Sequence, residues 1–145
     1  MRLMLFAAAL IALTACSKPS PPVGKWEGGT ESGATVVAAR VEVLASGAVR
    51  VSAPDVTNAI GSRAEIDAYR QRLAAELANG WPDVKPRHFD FDGKTFRKPG
   101  GYAPQMVWDK DTNQMTLELY IGANPALPVV LRPVSDFHDS PWAQG

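Results

Sequence analysis

Three groups of residues have types and spacings that chemistry uses. His88, Asp90 and Asp92 alternate in His88-Phe89-Asp90-Phe91-Asp92, so a strand would set an imidazole and two carboxylates on one face. That donor set suits a divalent cation. Neighbours on one strand face diverge, however, and a solvated face opposite Phe89 and Phe91 calls for the same residues. Asp109-Lys110-Asp111-Thr112-Asn113 begins like a calcium loop. The full loop needs glycine at its sixth position and a bidentate glutamate at its twelfth, where this chain has Gln114 and Tyr120. Asp and Asn in such a run are ordinary turn formers. His138, beside Asp139, is the second of only two histidines. No serine sits in a G-x-S-x-G elbow, and Gly28-Gly29 and Gly100-Gly101 lack the spacing of a phosphate-binding loop. The expectation is a protein with no catalytic residue, no metal and no cofactor, one that works by binding.

The single cysteine is the most specific feature. Arg2 gives a positive start, Leu3 to Leu13 is apolar and uncharged, and Thr14 and Ala15 are small. This is the layout of a secretory signal peptide. The apolar run is shorter than the ~20 residues that span a bilayer as a helix. The tetrapeptide Leu13-Thr14-Ala15-Cys16 resembles the lipobox of bacterial lipoproteins. The resemblance implies removal of residues 1–15 and lipidation of Cys16, with diacylglycerol on its sulfur and an acyl chain, such as palmitate, on its new amino group. A thiolate is the nucleophile that such an attachment requires, and more than one chain is needed for stable anchoring. Ser17, where the family's inner-membrane retention signal would be aspartate, implies the outer membrane, with the domain facing the periplasm. An exported chain with no second cysteine has no disulfide to rely on and depends on its core.

Composition permits such a core, with 46% apolar and 21% charged residues. Lys plus Arg and Asp plus Glu are both 15. That balance lacks the basic face expected for nucleic acid, so the expected partners are the membrane, through the anchor, and an envelope protein, lipid or glycan.

The elements follow from periodicity. Residues 16–22, the lipidated cysteine and the proline-rich Ser17 to Pro22, read as a tether. In extended polyproline II, at ~3.1 Å per residue, it would lift the domain by roughly 20 Å. Residues 23–134 read as one globular domain and 135–145 as an irregular tail. Gly24 to Gly28 reads as a first strand. Val37, Ala39, Val41 and Val43 alternate with Ala38, Arg40, Glu42 and Leu44. After the turn Ser46-Gly47, Val49, Val51 and Ala53 alternate again, which predicts a hairpin. Residues 62–79 form the one predicted helix. Ser62 and Glu65 make a capping box, Ile66, Tyr69, Leu73 and Leu77 give an apolar stripe, and Gly80 reads as a left-handed stop before Pro82. Strands return at His88 to Asp92, Thr95 to Lys98, Gln105 to Asp109, Gln114 to Ile121 and Leu127 to Arg132. The predicted class is α+β: a mostly antiparallel, strongly curved sheet or partly closed barrel of about eight short strands, cradling one helix.

Gly24-Lys25-Trp26 is similar to the G-x-W at the first strand of calycins, the lipocalin-like barrels. The resemblance implies that Arg132, near the end of the last strand, packs across Trp26, and that the barrel carries a small apolar ligand. The mid-chain helix departs from the calycin plan, in which the helix follows the barrel. Arg87, Lys94, Arg97, Lys98 and Tyr102 form the most basic stretch and suit anionic head groups or glycan, or simply a solvated hairpin. The functional expectation is an anchored, non-catalytic envelope binding module. A carrier of a small apolar ligand and a small hydrolase using His88 or His138 are the alternatives. Replacing the thiol tests the anchor: Cys16→Ser should release the protein from membranes or leave it unprocessed. Membrane-bound mutant of unchanged mature mobility would overturn the lipobox reading.

Overall fold

A computed structural model describes residues 17–142, apart from 34, 55–56, 59–60 and 122–123. Cys16 and residues 1–15, expected as a signal peptide, lie outside the described residues. The first three strands form a meander: β1 (Gly24–Ser32), β2 (Thr35–Val43) and β3 (Val49–Ser52). Gly47, at φ 85°, makes the turn between β2 and β3. The strand β2 is buried on both faces. Val37, Ala39, Val41 and Val43 point one way, Val36, Ala38 and Arg40 the other, and all seven are buried. A short β4 (Thr57–Asn58) pairs with the start of β2. The helix α1 (Arg63–Gly80) follows, and then β5 (Asp90–Phe91), β6 (Thr95–Arg97), β7 (Pro104–Asp109), β8 (Gln114–Ile121) and β9 (Asn124–Val134).

The last strand returns to the first. Lys25, Trp26 and Glu27 of β1 face Val134, Pro133 and Arg132 of β9 in antiparallel register. The strand order is therefore β3-β2-β1-β9-β8-β7-β6-β5, with β4 beside β2. Close passage of β1 and β9 depends on Gly28, where a Cβ would stand 2.3 Å from the Val130 carbonyl oxygen. The two edges of this order meet in space: Val49 on β3 and Arg87, just before β5, exchange two backbone hydrogen bonds of 2.8 Å each. The sheet is thereby curled into a partly closed barrel. Its interior brings Trp26, Val41 and Val49 against Phe96, Met106, Met115 and Leu131. This is the α+β, mostly antiparallel, curved architecture expected. The expected first and last strands were too short, because β1 continues through Gly28-Gly29 and β9 through Pro133. The strand expected at His88 to Asp92 shrinks to Asp90–Phe91, because Asp92 turns the chain.

The expected capping box is present: the Ser62 side chain accepts from the Glu65 amide, and Glu65 accepts from the Ser62 amide at 2.6 Å. A cap of this kind contributes about 1 kcal/mol. Leu73, Ala74 and Leu77 are buried, whereas Ile66 and Tyr69 are only half covered. The helix contacts β2, whose Val36, Ala38 and Arg40 point away from the barrel interior. It therefore lies on the outside of the barrel and is not cradled within it. Gly80 is not a left-handed stop. It stays helical at φ −80°, ψ −18°, and the chain continues into a tight 3-10 turn over Trp81–Asp83. Pro82 fits the first turn of that element, where no amide donor is needed. Arg50 fixes the turn to β3: its guanidinium lies 4.4 Å from the Trp81 ring centre and donates to the Val84 carbonyl at 2.9 Å. No helix among the described residues is long and apolar enough to cross a membrane.

Candidate functional site

The residues that the sequence offered for metal chemistry are engaged separately. Asp92 Oδ1 accepts from the amides of Lys94 (3.0 Å) and Thr95 (2.7 Å), and its Oδ2 accepts from Arg97 at 2.6 Å. Asp90 accepts from the Gly100 amide at 3.2 Å, and His88 is exposed beside the N-terminal segment. Among the described residues, no three His, Cys, Asp or Glu side chains converge as metal ligands would. The Asp109 to Asn113 run is a hairpin turn between β7 and β8. Asp109 accepts from the Asp111 amide at 2.9 Å, and Asn113 takes φ 53°. Asn113 also holds two tryptophans, accepting from Trp26 Nε1 at its carbonyl (2.9 Å) and from Trp108 Nε1 at its side chain (3.0 Å).

Trp26 and Arg132 do not come together. Trp26 is in register with Pro133, and Arg132 with Glu27, so the indole points into the barrel and the arginine projects from its outer face. That outer face carries an ion cluster that sequence reading missed. The Glu27 side chain has no exposed surface and that of Arg40 only 4%. Arg40 Nε lies 3.5 Å from Glu27 Oε2. His138 closes the cluster from the tail. Its amide donates to both Glu27 oxygens, at 3.1 and 3.2 Å. Its Nδ1 meets Glu27 Oε1 and its carbonyl accepts from Arg40. A buried carboxylate behind a half-exposed imidazole can orient a base. Here the same carboxylate also holds the tail's backbone, which makes the group a clasp. Phe137 packs beneath it, 5.0 Å from the Arg40 guanidinium and 4.7 Å from the Trp81 ring. Trp142 lies against Gly29, where a Cβ would be 2.2 Å from its ring nitrogen, with Arg70 of α1 5.0 Å from its ring centre. The tail thus straps α1 and the 3-10 turn onto the barrel. The legible signal was Arg40 in an otherwise small, apolar outward row of β2, since a buried charge needs a partner.

An apolar cleft lies where the barrel fails to close. Past the Val49–Arg87 bridge, β3 and the strands β6 to β8 diverge around a cleft of about 670 Å³. Its walls are Val51, Ala53, Phe89, Met106, Leu117 and Leu119. Two members of the basic stretch, Arg87 and Lys98, line it together with Gln105, Glu118 and Tyr120. The other members lie elsewhere: Arg97 pairs with Asp92, Lys94 is in the β5–β6 turn, and Tyr102 is 96% exposed. Tyr120 is fixed by donating to the Pro104 carbonyl at 2.7 Å. No family model, curated protein or solved structure matches this chain.

Two outcomes test these assignments. Glu27→Gln leaves the Arg40 charge buried without its counter-charge, and should lower stability by about 3–5 kcal/mol in urea unfolding. Adding Arg40→Met should restore part of that loss; an unchanged midpoint for Glu27→Gln would contradict the clasp. In the β5–β6 turn, the Thr95 amide, then the Arg97 guanidinium and the Lys94 amide, hold Asp92 down to about 2, against an ordinary value of about 3.9. A depressed carboxylate stabilises the fold above the ordinary value and ceases to as pH falls through the folded one. Carboxyl NMR titration should therefore place Asp92 near the acid limit, with loss of hairpin protection between about pH 4 and 2. An ordinary titration would contradict the turn geometry.

Proposed function

We propose that this protein is a lipid-anchored envelope binding protein, and that its ligand is an apolar chain with an anionic group, held in the cleft between β3 and β6–β8. The observation that carries this reading is the cleft itself. Its volume of about 670 Å³ falls within the ~300–1,000 Å³ of small-molecule sites, which are mostly apolar with a few placed polar groups. Val51, Phe89, Leu117 and Leu119 supply the apolar wall, and burying a chain against them releases the water that covers both. Arg87 and Lys98 outnumber the one carboxylate of the cleft, Glu118, which favours a carboxylate or phosphate on the ligand over a neutral head. The anchor rests on the lipobox resemblance at Leu13-Thr14-Ala15-Cys16 and gives the binding site a fixed place at a membrane surface.

The reading asks nothing catalytic of the two histidines. His138 is committed to Glu27, and His88 is exposed and lines the groove beside the N-terminal segment and not the cleft. Nor does it need the inherited calycin contact, because the cleft is built by the divergence of two sheet edges and not by a Trp26–Arg132 pair.

Protein carrying Cys16→Ser, purified without detergent, should bind a fluorescent fatty acid with saturable, one-to-one stoichiometry. Ala53→Trp should fill the cleft and weaken binding by at least about tenfold with an unchanged unfolding midpoint. Lys98→Glu should weaken the acid but not the corresponding alcohol. Absence of saturable binding, or affinity indifferent to Ala53→Trp, would overturn the proposal.

A further inference from the structure

We infer that the segment Lys18 to Pro22 sets the domain on the bilayer by its closed end, so that the cleft opens away from the membrane that holds the anchor and exchanges its ligand with the aqueous side. This inference rests on the anchored-binder reading and adds an orientation to it.

The tether is not a free spacer. Pro19 packs beside Gly93, 3.6 Å from where a Cβ would stand, and Pro21 beside Gly47, at 3.8 Å. Lys18, Pro19 and Pro21 line one groove with Ser46, Gly47 and the chain from His88 to Phe91. Pro21 and Pro22 are half-buried. The extended lift of the whole proline segment is therefore not available. Only Ser17 and Lys18 separate Cys16 from Pro19, which lies beside the β5–β6 turn while still exposed, and three Cα steps reach at most about 11 Å. If Cys16 is in the lipid head-group layer, the turns touching Pro19 and Pro21 are near it.

Those turns share one end of the barrel. Val49 and Arg87 pair antiparallel, so the chain running from Arg87 to Asp92 goes the same way as the chain running back from Val49 to Gly47. The β2–β3 turn and the β5–β6 turn are thus neighbours. Trp26, 1% exposed and hydrogen-bonded to the β7–β8 turn at Asn113, fills the barrel at this end. Most of the cleft lies beyond the bridge, at Val51, Ala53, Lys98, Ala103 and Gln105, and Phe89 is the wall that it shares with the tether groove. At about 3.3 Å per residue, Ala53 is roughly 13 Å further along β3 than Val49. The chain between β6 and β7, with exposed Tyr102, is at that far end. The membrane-side end displays Lys18, Lys94 and Lys110 among Asp92, Asp109 and Asp111, with one exposed apolar side chain, Val23, which fits contact with the polar head-group layer and not deep insertion. A ligand entering the cleft then arrives from solution or from a soluble carrier, and not sideways from the anchoring leaflet.

The test uses the lipidated protein in vesicles, with a maleimide dye at Ser46→Cys or at Tyr102→Cys; the Cys16 sulfur is occupied by lipid. Energy transfer to a head-group-labelled lipid should be several-fold stronger from position 46 than from position 102. Replacing Pro19, Pro21 and Pro22 together by glycine should erase that contrast while the protein still floats with the vesicles. Equal or reversed transfer in the parent protein, with flotation intact, would overturn the orientation. Failure to float would overturn the anchor on which it rests.

Discussion

Everything in this fold is arranged around a first strand that must be covered on both faces. In β1, Trp26 points into the barrel and Glu27 points out, and both are 1% exposed. The indole end is met by the barrel interior and by Asn113. The carboxylate end is more demanding, because an ionised side chain out of water must be paired and hydrogen-bonded. Arg40 supplies the charge and His138 supplies the hydrogen bonds. That requirement draws the tail across the outer face, and the tail in turn fastens α1 through Trp142 and the 3-10 turn through Phe137. One buried acid thereby organises three segments that are far apart in sequence.

The opposite side of the barrel is organised by a deficit of pairing. The edge strands are short, four residues in β3 and two in β5, and their only ladder contact among the described residues is the Val49–Arg87 bridge. Short edges limit unwanted pairing with other chains. Here the ladder between the two edges stops at that bridge, so Val51 and Ala53 face Phe89, Leu117 and Leu119 across a cleft and not across a continued pairing. The half near Trp26 is solid, and the half beyond the bridge is open.

Much of this was legible in residue pattern. Period-two alternation in β2, β3 and β8 and the Ser62/Glu65 capping box were written locally, and local rules decide them. The curled antiparallel class followed from short strands joined by turn residues. The clasp was not legible, because Glu27, Arg40 and His138 meet only once β9 returns to β1, and nothing local marks that register. Gly80 read as a stop because a glycine before proline usually is one; Arg50 against Trp81 holds the turn that continues instead. The pairing of Trp26 with Arg132 failed on parity. Facing register places Arg132 beside Glu27, one residue from the position that would bring it to the indole's face. The cleft was half legible, since Arg87 and Lys98 were noted as basic, but their common wall is a product of the gap between two edges.

The central claim is that the open half of the barrel holds an amphiphile while the lipid anchor fixes the protein at a membrane. Native mass spectrometry of the lipidated protein, extracted gently from its own membrane, tests it most directly. The account predicts one non-covalent adduct per chain, of a mass matching an acidic amphiphile, absent from protein carrying Ala53→Trp. A spectrum showing only the bare lipidated chain, or the same adduct with the cleft filled, would contradict it.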